Sequence, residues 1–261
     1  MTQLIFQANP LIFALFVLVV LGLSIEIPYA VLKRAELDKG RLDAYNVVQM
    51  GLLTLTSFVV GLSFAQSSER FTARRALVVK EANAIGTTWL RADQLPAAQS
   101  LEFRRILTNY ASTILVEYQS PNDPDLDEQT RKRSNAYQEE LWTIASGAVR
   151  QTPTHQGYSL LMQSLNETID VSGEQLYALT NHVPTAILVL TLLLVVLSSF
   201  SLGLRFALHK SRPPGLTAVF VIAYVLVINM MIDYDRPQAG FVKLNLDPLR
   251  LQVAAMQRQE R

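Results

Sequence analysis

The sequence has no cysteine and only three histidines. The first absence excludes structural disulfides and thiolate metal sites, and leaves the redox compartment unread. His155, His182 and His209 are widely separated, and none has a companion ligand nearby in the chain. No His-Glu-x-x-His pair, P-loop, Gly-x-Ser-x-Gly elbow or dinucleotide fingerprint occurs. Nucleophilic and zinc chemistry therefore lack their usual players, and no catalytic residue, metal site or cofactor is expected. Glu139 and Glu140 are sequence neighbours on a helix, do not face each other, and read as a solvated face. An excess of charge of either sign is missing too. With 23 Lys and Arg against 22 Asp and Glu, the net charge is +1, and there is no basic face for nucleic acid. Period-two alternation is also absent, which argues against a sheet.

What the sequence does have is long apolar runs. Half of the 261 residues are apolar, and four runs reach the length needed to cross about 30 Å of hydrocarbon at about 1.5 Å rise per residue. They are Leu11 to Ala30, with the single charge Glu26; Ala44 to Ala65; Val183 to Leu204; and Leu216 to Ile232. The last three are free of charge. The first run is read as a span and not as a signal peptide, because no basic residue precedes it and no small-residue cleavage site follows.

These runs predict an all-α integral membrane protein with four transmembrane helices in two hairpins. A four-helix bundle is inserted between the hairpins and is expected to be continuous with the second and third spans. The domains are then 1–66, the first hairpin; 67–182, the bundle outside the membrane; 183–232, the second hairpin; and 233–261, an amphipathic, charged tail. Within the bundle, four apolar stripes at helical spacing bury one another. The first runs through Phe71, Val78, Ala82, Ile85 and Trp89 with no breaker after the second span, so one long helix should leave the bilayer. The second runs from Phe103 to Tyr118, the third from Tyr137 to Ala148, and the fourth from Tyr158 to Leu179. The turn-rich segment Ser120 to Pro124 and the break Gln151 to Gly157 separate them. Basic residues tie across the two sides of the membrane. Short loops weigh more than long domains, so the loops are placed in the cytoplasm of a bacterial inner membrane and the bundle outside it.

Three polar features stand out against this apolar frame. Gln49, Thr56, Ser63 and Arg70 recur every seven residues and share one face of the second span. Such a face must meet protein or water, so it lines a pore or it glues one span to another. Glu26 is the one charge inside a span. It lies near the loop end of its helix, where it either joins the pore or pairs at the interface. At the opposite boundary, Asp233, Asp235 and Arg236 meet the same membrane surface as Arg70 and Arg74. They are candidates for ion pairs or for a charged mouth.

Two stretches carry a family resemblance. One is Arg70-Phe-Thr-Ala-Arg-Arg-Ala-Leu-Val-Val-Lys-Glu81-Ala-Asn83-Ala-Ile-Gly86, continuing to Pro96; the other is Asp233-Tyr-Asp235-Arg236-Pro237-Gln-Ala-Gly240-Phe. Together with the two-plus-two spans they resemble a bacterial membrane family labelled bestrophin-like, remotely similar to the bestrophin anion channels. The resemblance implies a pentamer whose second helices line the pore, in a lipid bilayer and with small inorganic ions as cargo. Neither an aromatic neck nor an acidic calcium clasp has a counterpart in these motifs, so calcium gating and anion selectivity are not carried over. Read on their own chemistry, Glu81, Asn83 and Gly86 mark a tight helix crossing or a subunit contact, since Asn and Gly are poor helix formers. The expectation is a homo-oligomeric ion channel with Gln49, Thr56 and Ser63 touching the ion. The alternative is a non-conducting scaffold or sensor whose bundle binds a partner. Dry packing of those polar groups inside one chain would remove the support they lend to transport.

Overall fold

A computed structural model describes residues 9–32, 34, 39–119, 124–236 and 240–260. Secondary structure among them is entirely helical: α1 Pro10–Leu32, α2 Lys39–Arg91, α3 Ala97–Gln119, α4 Pro124–Gln151, α5 Gln156–Thr180, α6 Thr185–Leu208, α7 Pro214–Asp235 and α8 Asp247–Gln259. Four of the helices are long and apolar enough to cross a membrane. The chain divides into two compact units, residues 1–70 with 182–236 and residues 71–181 with 237–261.

The first unit contains the apolar segments. In α1, Phe13, Val17, Leu21 and Ile25 recur every fourth residue and are buried, giving one continuous packing stripe. It meets Leu188 and Val195 of α6 and Val221, Val225 and Ile228 of α7. The remaining faces are the reverse of a soluble protein's surface. Leu11, Phe16, Leu23, Phe58, Leu193 and Leu226 are all exposed, as a lipid-facing surface requires. Gly203 sets the closest approach, because a Cβ there would lie 2.1 Å from the Ile25 carbonyl oxygen. At 53 residues, α2 extends about 80 Å. That is far more than a bilayer core, and with no proline to interrupt it the helix runs from the first unit into the second.

The second unit has an apolar core of its own. Ile85 and Trp89 of α2, Phe103, Leu107 and Tyr110 of α3, Leu141 of α4, and Leu161 and Leu165 of α5 pack into it. A single 3₁₀ turn, Ala92–Gln94, reverses the chain. Pro96 then precedes α3, accepting the Ser100 N–H on its carbonyl.

One expectation needs correction. The bundle is not continuous with the third span: residues 181–184 are non-helical between α5 and α6. Pro184 disfavours helix in the residue before it, and α6 begins only after it. Within the tail, expected to be amphipathic and charged, lies α8. In α8, Leu249, Val253 and Met256 are buried in the core of the second unit, which therefore has a fifth helix. The Ser120 to Asp123 part of the expected loop lies outside the described residues, as do most of the loop after α1 and Pro237 to Ala239.

Candidate functional site

The heptad stripe of α2 lies against α6. Thr56 Oγ1 is 2.6 Å from Ser198 Oγ, Ser63 Oγ is 2.9 Å from Thr191 Oγ1, and Arg205 donates to Gln49 Oε1 at 3.4 Å. One turn from Gln49, the Tyr45 hydroxyl reaches Ser201 Oγ at 2.9 Å. Gln49 and Thr56 are fully buried, and Ser63 is 2% exposed. Gln49, Thr56 and Ser63, expected on a pore lining, are thus buried against α6 within one chain. These groups form a dry hydrogen-bonded seam within one chain, because each hydroxyl already has a partner on the neighbouring span. The sequence did hold a signal for this. Thr191, Ser198 and Arg205 recur every seven residues on the third span, which matches the stripe position for position in the antiparallel sense.

The candidate mouth is also committed to structure. In the first unit, Arg70 donates to the His182 carbonyl at 3.2 Å. Asp235 Oδ2 accepts the Val183 N–H at 3.0 Å and lies 3.4 Å from His182 Nδ1. The Asp235 carboxylate thus serves a backbone donor that the break before Pro184 removes from any helix. Asp233, Asp235 and Arg236 are all at least nine-tenths buried. In the second unit, Arg74 is 1% exposed and donates to Ala178 O at 2.8 Å and Asn181 O at 3.0 Å. A guanidinium on the last carbonyls of α5 satisfies orphan acceptors and opposes the helix dipole.

Glu26 pairs with Arg212 of the segment before α7; its side chain is 42% exposed, and the Arg212 guanidinium also lies over the Tyr29 ring. Gly86 is buried against the Gln252 side chain of α8, which makes it a helix-crossing position, while Asn83 is exposed on the rim of the same crevice. Glu81 is fully buried and accepts a hydrogen bond from the Tyr118 hydroxyl at 2.7 Å. Its depth could not be read from the sequence, because its partner Tyr118 is 37 residues away.

Among the described residues there is no cluster of three or more His, Cys, Asp or Glu residues. Within the first unit, an apolar groove of about 550 Å³ lies between α2 and α7, lined by Ser57, Gly61, Phe64, Tyr224 and Met230.

Four apolar helices, a polar inter-span seam and an appended helical unit define a multi-pass, all-helical membrane protein. The Bestrophin-like domain profile matches residues 13–249, and the chain belongs to the bestrophin-like family. Solved structures of a bacterial bestrophin homologue from Klebsiella pneumoniae share the fold. A tryptophan-to-alanine variant superposes with a TM-score of 0.68 at 18% identity, covering 97% of each chain. A leucine-to-threonine variant gives 0.65 at 18% identity, covering 97% of this chain and 98% of that one. A tyrosine-to-alanine variant gives 0.64 at 19% identity, covering 95% and 97%. No curated protein matches the sequence.

Proposed function

We propose that the protein is a homo-oligomeric ion channel in which α2 lines the pore through the face its own chain leaves uncovered. Membership of the bestrophin-like family carries this reading; the Gln49–Thr56–Ser63 seam does not. Ala44, Val47, Gly51, Thr54, Phe58 and Ala65 lie on the face opposite the seam, and all are exposed. A Cβ added at Gly51 would meet nothing within the chain, so the helix can approach an axis shared with other subunits there. That face bears no charge between Ala44 and Ala65. Selection would therefore come from pore width and polar groups and not from a charged ring, and the sign of the ion stays open. The two spans on either side of the helical unit form two hairpins; the basic short loops favour placing the unit outside the cytoplasm, and the family resemblance favours five subunits around the pore.

Liposomes containing purified protein test the reading. Wild type should dissipate an ion gradient, and Gly51→Trp or Thr54→Trp should block it while the protein stays folded. A wild type silent under both polarities and across a wide pH range overturns the proposal. So does an oligomer whose α2 outer faces all contact lipid.

The dry seam favours a second reading, a non-conducting scaffold whose helical unit binds a partner. Hydroxyls hydrogen-bonded across packed spans are glue in many membrane bundles. A stable monomer with no ion flux would support it.

A further inference from the structure

The second unit buries a carboxylic acid that forms no ion pair among the described residues. Glu81 is fully buried. Its Oε2 accepts from Tyr118, while Oε1 has no hydrogen-bond partner among the described residues. Helices α2 and α5 run antiparallel here, fixed by Thr88 Oγ1 to Thr168 Oγ1 at 2.9 Å and Lys80 to Glu174 at 2.9 Å. Seven residues back from Thr88 is Glu81, and seven residues on from Thr168 is Gln175. Two helical turns from the threonine pair, the same register therefore brings Glu81 and Gln175 opposite each other. Gln175 is also fully buried, and both atoms of its amide lack a hydrogen-bond partner.

The charged and titratable surroundings favour a neutral acid. From α3 come the buried Tyr118 and Tyr110 and the half-buried Glu117, whose charge opposes ionisation of Glu81. From α4, Gln138 donates to the Tyr110 hydroxyl at 3.0 Å, and the exposed Arg131 lines a small cavity with Glu117 and Tyr118. From α5 come Gln175 and Ser172; Ser172 bonds Tyr110. Lys80 of α2 is taken up by Glu174 at the surface, and Arg74 by the α5 carbonyls. From α8, Arg250 lies beside Asp247, and Glu260 accepts from Thr108.

We propose that Glu81 is a proton-binding site, and that losing its proton loosens α2 against α3 and α5. Protonated, the acid needs one acceptor, and the Gln175 amide oxygen is the group opposite. Ionised, it needs several donors, and Tyr118 supplies one. The deficit is met by drawing in the Gln175 amide N–H or water, which spreads the helices. Burial already pushes the carboxyl up to about 7, where modest acidification switches it. This inference goes beyond the channel reading, and its test needs no current.

The full chain in lipid nanodiscs is titrated between about pH 5 and about pH 8. Infrared spectroscopy should show a protonated-carboxyl band disappearing near neutral pH in wild type and missing in Glu81→Gln. Amide exchange in residues 78–88 and 168–179, corrected for intrinsic chemistry, should report opening on the order of a hundredfold greater at the upper pH. It should be flat in Glu81→Gln. If that variant fails to fold, the wild-type band decides. A wild-type band that titrates in the ordinary carboxylate range overturns the proposal, as does a folded Glu81→Gln that keeps the pH-dependent exchange.

Discussion

Thr56 Oγ1 and Ser198 Oγ lie 2.6 Å apart in the buried seam between the second and third spans. Thr56 also bonds within its own helix, donating to Leu52 O at 2.8 Å. Thr56→Val keeps the shape of the side chain and removes the cross-span bond. Coupling energies of such bonds within membranes average about 0.6 kcal/mol, so a Thr56→Val/Ser198→Ala double-mutant cycle on detergent unfolding should return a coupling of that order. A coupling indistinguishable from zero would mean that the helices are held by packing alone.

Ser63→Trp separates a seam from a pore lining. At 2% exposure and 2.9 Å from Thr191, position 63 has no room for an indole. Overpacking costs typically 1–3 kcal/mol, and about that much or more is expected here. The variant should melt at a lower temperature and express poorly. A protein of wild-type thermal stability with blocked flux would restore Ser63 to an aqueous path.

Gly203 gives the sharpest packing contrast with another glycine. Its missing Cβ would stand 2.1 Å from the Ile25 carbonyl oxygen and 2.7 Å from Pro28 Cγ, whereas one at Gly51 would meet nothing. Gly203→Ala should therefore destabilise by roughly 1–3 kcal/mol, because backbone has to move. Gly51→Ala should be neutral or slightly stabilising through helix propensity. Thermal melts of the two variants side by side check both signs.

The spans and the long second helix were legible because local sequence dictates them. Charge-free runs of about twenty residues have few alternatives to a membrane helix, and no proline interrupts α2 between Lys39 and Arg91. The seam was half legible. The polar stripe shows on α2 and a matching heptad of Thr191, Ser198 and Arg205 shows on α6, but whether the two meet each other or water is a tertiary fact. Arg74 illustrates the same limit: a basic residue at the end of a span reads as a mouth, and only the fold brings the carbonyls of Ala178 and Asn181 to it. The docking of α8 was missed because its stripe of Leu249, Val253 and Met256 is short and follows a charged segment.

Arg74→Leu tests that capping role. Two charge-assisted hydrogen bonds to the last carbonyls of α5 would be lost, at a cost of about 1.5–3 kcal/mol each. Hydrogen exchange should rise in residues 176–181 while the middle of α5 stays protected. Arg74→Lys should restore part of the protection, since an ammonium keeps the charge but not the fork. An unchanged exchange profile would release Arg74 for a role at the membrane mouth.

Tyr118→Phe bears on the pH dependence of stability. Burial raises the Glu81 carboxyl from 4.5 to about 7 in the folded chain, and the Tyr118 hydrogen bond opposes that rise. A carboxyl that holds its proton more tightly when folded adds stability that is complete below about 4.5 and drains away as pH climbs through about 7. The shift corresponds to roughly 3 kcal/mol at about 1.4 kcal/mol per unit. Wild-type thermal stability should thus fall between about pH 4.5 and about pH 7 and level off above that. Removing the phenol hydroxyl takes away the one donor holding the charged form, so the upper end of the decline should move to higher pH. A decline that moves down in Tyr118→Phe would mean the phenol stabilises the neutral acid instead, and that Glu81 titrates through a different neighbour.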